Sequence, residues 1–236
     1  MSRSNFPSKQ KIQILIIGGG SKIARETFAL TEEFEITGFS RFSKIKEIEK
    51  IKEYKVVKYK NISSFKNHLD KKKNNKIVLL FMEASSNSKI ILNKSSKELL
   101  DDMRSNFLNF HDIIKLVLPH MLRQQWGRII FCGSSRALKT DVGIGGYSSG
   151  KYALLGYSKT LSKEYARYGV TSNYLSLGLF KTSLYLKLNK KIKNNLLNNT
   201  DTKNIGDYES VLNAINFVIK SNYVTGTIIP IDGGFN

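Results

Sequence analysis

Three side chains in this 236-residue chain have the types and the spacing to move a proton: Ser134, Tyr147 and Lys151. Tyr147 and Lys151 are four residues apart, close to one helical turn, so on a helix they share a face. An ammonium beside a phenol favours the ionised phenol. A tyrosine made more acidic in this way can give or take a proton near neutral pH. Ser134 precedes Tyr147 by thirteen residues and offers a hydroxyl to the same substrate oxygen. Such a trio needs a rigid element to carry the serine up to the helix. Ile129-Ile130-Phe131-Cys132 is an apolar run that fits a buried strand, and Gly133-Ser134-Ser135 follows where that strand would end.

The rest of the chain supplies a frame for that strand. Residues 12–17, IQILII, form another apolar run, closed by Gly18-Gly19-Gly20-Ser21-Lys22, and ARETFALTEEF then has the apolar spacing of a helix. Strand, glycine loop and helix make a phosphate cradle, because glycines let the backbone approach and the helix start presents free N–H groups. The second strand, EITGFSR, ends in Ser40-Arg41, with no acidic residue until Glu47. An acidic residue after this strand would hold the ribose hydroxyl of NAD, whereas an arginine accommodates the 2′-phosphate of NADP. Ser40 and Arg41 therefore point to NADP(H), with Lys22 placed to assist. Further strands read over 54–62, 76–85, 170–178 and the final YVTGTIIPIDGGFN; helices read over 44–53, 63–72, 96–123, the stretch after Lys151 (closed by Gly169) and 204–219. Strands alternating with helices predict an α/β fold: a doubly wound, parallel Rossmann sheet between two helical layers, in one domain over 1–236.

Composition bounds the function. No run of about 18 apolar residues exists to span a membrane. MSRSNFPSKQK has no apolar stretch after its charges, so it does not read as a secretory signal. The single cysteine, Cys132, excludes an intramolecular disulfide, fits a cytoplasmic setting and reads as a small core residue. The net charge is +19, with lysine and asparagine abundant together, as in KKKNNK and KLNKKIKNNLLNN. That spread reads first as compositional bias, with an anionic cofactor or substrate as the alternative. No nucleic-acid motif accompanies it.

Ser134, Tyr147 and Lys151, placed after a strand ending in Gly-Ser, resemble the catalytic signature of the short-chain dehydrogenase/reductase family. The resemblance covers nearly the whole chain and is strongest over 100–180 and 205–236. It implies hydride transfer between NADP(H) and a ketone/secondary-alcohol pair. Tyr147 would be the proton donor and Ser134 would polarise the oxygen. Lys151 would lower the tyrosine pKa and hold the nicotinamide ribose. Asn106 matches a helix asparagine that holds a water linking that lysine to solvent. Cofactor contacts carry over to Gly18, Gly20, Ser21, Lys22 and Ile23 of the loop, to Ser40 and Arg41, to Asn61 for adenine, and to Ala84, Tyr147, Lys151, Gly178 and Thr182. The chain also departs from the family pattern. Lys22 and Ala24 stand where glycines are usual, Met82-Glu83-Ala84-Ser85 replaces NNAG, and Leu177 replaces a proline. Residues 179–205 fall where the family has a substrate lid. The chain is most similar to 3-oxoacyl-carrier-protein reductases, which implies an acyl thioester substrate on an acyl carrier protein, with a sugar as the other substrate class. It also implies a homo-oligomer, tetramer or dimer, pairing the long helices and the last strand. The altered loop and the missing NNAG leave open a family member that binds cofactor without catalysis.

Overall fold

The computed structural model describes residues 12–40, 54–58, 65–66, 69, 75–83 and 87–235. Seven strands lie in one sheet: β1 (Ile12–Ile17), β2 (Glu35–Ser40), β3 (Tyr54–Lys58), β4 (Lys76–Phe81), β5 (Gly127–Cys132), β6 (Val170–Leu177) and β7 (Ile228–Ile231). Their order is β3-β2-β1-β4-β5-β6-β7, and every pairing is parallel. Parallel strands are covered on both faces, which is why β1, β4 and β5 are written as nearly unbroken apolar runs. Alternate residues feed two cores. Ile14, Ile16, Val78, Leu80 and Ile130 pack under α1 (Lys22–Phe28) and the helix Tyr208–Lys220 on one face. Leu15, Ile17, Leu79, Phe81, Ile129 and Phe131 face the long helices on the other.

Register brings the ends of the strands to one edge. Ile17 is level with Phe39 and Phe81, Phe81 with Phe131, Cys132 with Leu175, and Leu177 with Ile231. The segments after β1, β4, β5, β6 and β7 therefore leave the sheet along the same rim. Strand order reverses between β1 and β4, and in open parallel sheets that switch point opens a crevice at the carboxyl ends of the strands.

The second helical layer holds two long elements against each other. The first runs from α2 (Ser96–Met103) through a π turn, Arg104–Leu108, into α3 (Asn109–Arg123). Ser95 and Glu98 form a reciprocal capping box at its start. The short helix α4 (Ser135–Lys139) then leads to α5 (Gly145–Tyr165). Two glycines on α5 permit close contact: a Cβ on Gly146 would lie 2.2 Å from Asp102 Oδ2, and one on Gly150 would lie 2.7 Å from Asn106 Cβ. Each immediately precedes a residue of interest, Tyr147 or Lys151. The segment 179–205 carries two short helices, α6 (Ser183–Leu186) and α7 (Lys190–Asn198), before α8 (Tyr208–Lys220). Among the described residues no helix is long and apolar enough to cross a membrane.

Candidate active site

A cavity of about 520 Å³ opens on the carboxyl rim of the sheet. One wall is the end of the glycine loop, Ser21-Lys22-Ile23; the facing wall holds Ser134, Tyr147 and Lys151; Gly178 and Thr182 close a third side. The separate pieces of sequence that carry these residues meet because their strands end in register.

Each side chain is placed by its local structure. Gly133 brings β5 to its end against Tyr174: a Cβ there would sit 1.8 Å from the Tyr174 hydroxyl, so no larger residue fits. Ser134 then caps α4 with extended backbone but gives its hydroxyl to no helix N–H. That hydroxyl instead lies near enough to Tyr147 to favour the ionised phenol. Tyr147 and Lys151 project from the first turns of α5, with the lysine Nζ 5.8 Å from the tyrosine ring centre. Lys151 is 1% exposed. Its Nζ donates to the carbonyls of Cys132, at 3.2 Å, and Glu83, at 3.4 Å.

The electrostatics differ from the sequence expectation at one point. Lys151 was expected to lower the Tyr147 pKa. In the structure burial raises Tyr147 above the ordinary tyrosine value, and the opposing influences are the Ser134 hydroxyl and the charge of Arg136. Lys151 is itself depressed to about 8 by loss of water, with the charge of Glu83 working the other way. The cause is directional: the lysine head is turned to two carbonyls rather than to the phenol. Cys132 also lines the cavity, and burial pushes its thiol up to about 12, leaving it protonated and unreactive at neutral pH.

The glycine loop is held from beneath. The N–H groups of Gly18 and Gly19 both donate to the Phe39 carbonyl, at 2.9 and 3.1 Å. Gly18 has φ +87, and a Cβ on it would meet the Glu83 backbone nitrogen at 2.5 Å. Gly20 abuts Ser40, which is buried. These three residues support the loop and do not line the cavity. Asn106 is also absent from the lining; it is fully buried behind Gly150 and donates from Nδ2 to the Asp102 carbonyl at 2.9 Å. Thr182 lines the cavity while its hydroxyl accepts the Tyr185 N–H at 3.2 Å, starting α6. Arg41, Asn61 and Ala84 lie outside the described residues.

Several lining residues escaped the sequence reading. Met82 and Cys132 come from the β4 and β5 ends, Ile144 precedes α5, and Tyr185, Leu188 and Leu196 descend from α6 and α7. Arg136 enters from α4, and Phe235 from the chain end. The spacing between Ser134 and Tyr147 was itself a signal for Arg136, since whatever follows the serine starts at the site. Phe235 is brought in by pairing that only the fold reveals: Asp201 and Thr202 donate their N–H groups to the carbonyls of Gly234 and Gly233, at 3.0 and 3.1 Å. Asp232 accepts from Ser135 Oγ at 2.5 Å, tying the same segment to the residue after Ser134.

The cavity's charged lining consists of Lys22, Arg136 and Lys151, with no acidic side chain among the lining residues. A cationic cavity at the switch point, lined by both the end of the glycine loop and Tyr147, fits an anionic dinucleotide. Proton donor and acceptor groups meet on the wall of that cavity.

Comparison with known proteins agrees with that arrangement. The family model described as Enoyl-(Acyl carrier protein) reductase matches residues 49–236. The 3-oxoacyl-acyl-carrier-protein reductase FabG of Buchnera aphidicola is 32% identical over 180 residues, which is 74% of each chain. The 3-oxoacyl-acyl-carrier-protein reductase of Bos taurus is 30% identical over 145 residues, 61% of this chain and 60% of that one. Among solved structures, ElxO with NADP bound superposes with a TM-score of 0.83 at 21% identity, covering 95% of this chain and 98% of the other. The protein gox2181 superposes with a TM-score of 0.85 at 19% identity, covering 96% of each. At these identities the two structures speak to the fold.

Proposed function

The chain belongs to the short-chain dehydrogenase/reductase family, and on that premise we propose that it is an NADP(H)-dependent reductase of ketones to secondary alcohols. The observation that carries this reading is the convergence of Ser134, Tyr147 and Lys151 on the cavity whose opposite wall is the end of the glycine loop. The choice of NADP(H) is supported by Lys22 at the loop end and by the NADP held in ElxO. The named activity of the FabG relatives supports an acyl thioester presented by an acyl carrier protein, in the cytoplasm, with a ketone-bearing sugar as the other candidate.

When bound, NADPH supplies the hydride; the chain does the rest. Ser134 holds the carbonyl oxygen through its hydroxyl. Tyr147, kept protonated at neutral pH by burial, delivers its proton to that oxygen. Lys151 would hold the cofactor ribose, and Asn106 would support proton resupply from behind α5. Segment 179–205 covers the substrate through Tyr185, Leu188 and Leu196.

The test is a spectrophotometric assay of NADPH and NADH consumption on acyl thioester and keto-sugar panels. Tyr147→Phe is expected to lower kcat by about 100-fold or more, while the Kd for NADPH stays close to that of the parent. Turnover that survives the substitution rejects the proton-donor role. Equal affinity for NADH rejects the NADP(H) assignment. Cofactor binding without turnover on any ketone favours the non-catalytic reading.

A further inference from the structure

We propose that Arg136 reads charge on the substrate, so that the favoured ketone carries an oxyanion, a carboxylate or a phosphate ester, close to its carbonyl. This rests on the ketone-reductase reading and, within it, favours an anionic ketone such as a phosphorylated keto-sugar over the acyl thioester.

Three cations line the cavity, and two have positions that assign them elsewhere. Lys22 ends the glycine loop, and Lys151 is buried with its head on two backbone carbonyls. Arg136 lies two residues beyond Ser134 on α4 and lines the same cavity. The cavity it lines also holds the side chains of Ile144, Tyr185, Leu188, Leu196 and Phe235. An anionic substrate would find Arg136 there, near enough to Tyr147 for its charge to act on the phenol.

The arginine is also held in place. Its Nε and Nη2 donate to Asp141 Oδ2, at 2.9 and 2.6 Å. Asp141 is fixed in turn, accepting the Val142 N–H on Oδ1 at 2.7 Å. One edge of the guanidinium is thus committed, and a guanidinium has five N–H donors in all. Asp141 is not among the lining residues, whereas Arg136 is. The α4 carrier is secured to α5, because the Tyr152 hydroxyl donates to the Leu138 carbonyl. Both partners of the ion pair are 45% exposed, and pairs so exposed add little to stability. A guanidinium held in place on the wall of a cavity that also carries Ser134 and Tyr147 suits substrate recognition.

Matched pairs test it: acetoacetate against methyl acetoacetate for carboxylate, and dihydroxyacetone phosphate against dihydroxyacetone for phosphate. The quantity read is the ratio of kcat/KM, anion over neutral. The parent protein is expected to favour the anion by about tenfold or more in at least one pair, and Arg136→Gln to lose most of that preference. Asp141→Asn releases the guanidinium and is expected to keep or raise the ratio. A structural role for the ion pair would make both substitutions act alike. A parent ratio near one in both pairs, or an equal fall in both variants, overturns the proposal. If no ketone is reduced, the reductase reading fails separately, and calorimetric titration of acetoacetate and dihydroxyacetone phosphate into the NADPH complex decides. Anion binding lost in Arg136→Gln but kept in Asp141→Asn sustains the proposal; no anion binding overturns it.

Discussion

Lys151 carries its charge into a place with almost no water. Burial depresses its pKa from 10.5 to about 8, and each unit is worth about 1.4 kcal/mol. The folded state therefore disfavours this proton, while the unfolded chain keeps it up to its ordinary pKa. Below pH 8 the penalty is present in full. Between about 8 and 10.5 the unfolded chain binds more protons than the folded one, so stability rises with pH. Lys151→Met removes the titration. In urea unfolding of the cofactor-free protein, the stability difference should move in favour of the parent, by on the order of 3 kcal/mol, across that window. A gap that stays flat with pH would show that the ammonium is not desolvated. Ser134, Tyr147 and Lys151 were legible because their spacing is fixed by one strand end and one helical turn. The balance of charges around them was not. It depends on where the Lys151 head points and on Arg136 arriving from α4, and no spacing encodes either.

At the scale of elements, the site depends on how closely α5 lies against the π turn. Gly150 faces Asn106 with no room for a Cβ, whereas Gly156 on the same helix has nothing within 4 Å of the equivalent position. The two glycines should respond in opposite ways. Gly150→Val pushes α5 off its neighbour and is expected to destabilise by about 2–4 kcal/mol, with turnover falling as Tyr147 tilts. Gly156→Ala is expected to stabilise by roughly 0.5–1 kcal/mol. Thermal unfolding of both variants checks this, and similar melting shifts would refute the packing account. The strands were readable because a sheet covered on both faces demands unbroken apolar runs. One exception is Arg128 in β5, 1% exposed, which sequence alone would place at a surface. Its guanidinium donates to the carbonyls of Ile219 and Gly127 and stacks 4.4 Å from the Trp126 ring centre. The π turn around Asn106 left no trace in apolar spacing, because it changes the hydrogen-bond step and not the residue types. Helix α6 was too short to stand out and α7 too polar; the residues that follow α7 are held by the Asp201 and Thr202 pairing to the chain end.

Over the whole molecule the charge and the cavity belong together. The chain carries +19, and among the described residues the cavity on the rim is lined by Lys22, Arg136 and Lys151 and by no acidic side chain. Composition suggested scatter, and only the fold shows that the walls of the cleft share the same sign. That coincidence acts on encounter before any contact forms. A positive cleft in a positive molecule draws anions in from a distance set by the ionic atmosphere, about 10 Å at 0.1 M salt. The association rate for NADPH, followed by stopped-flow fluorescence, should therefore fall by roughly tenfold or more between about 20 mM and 500 mM salt, with the dissociation rate far less affected. Equal falls in both rates would mean that salt acts on the bound contacts alone. The cations on the walls of the cavity thus make ionic strength a throttle on arrival, setting how often the site is visited rather than how firmly it holds.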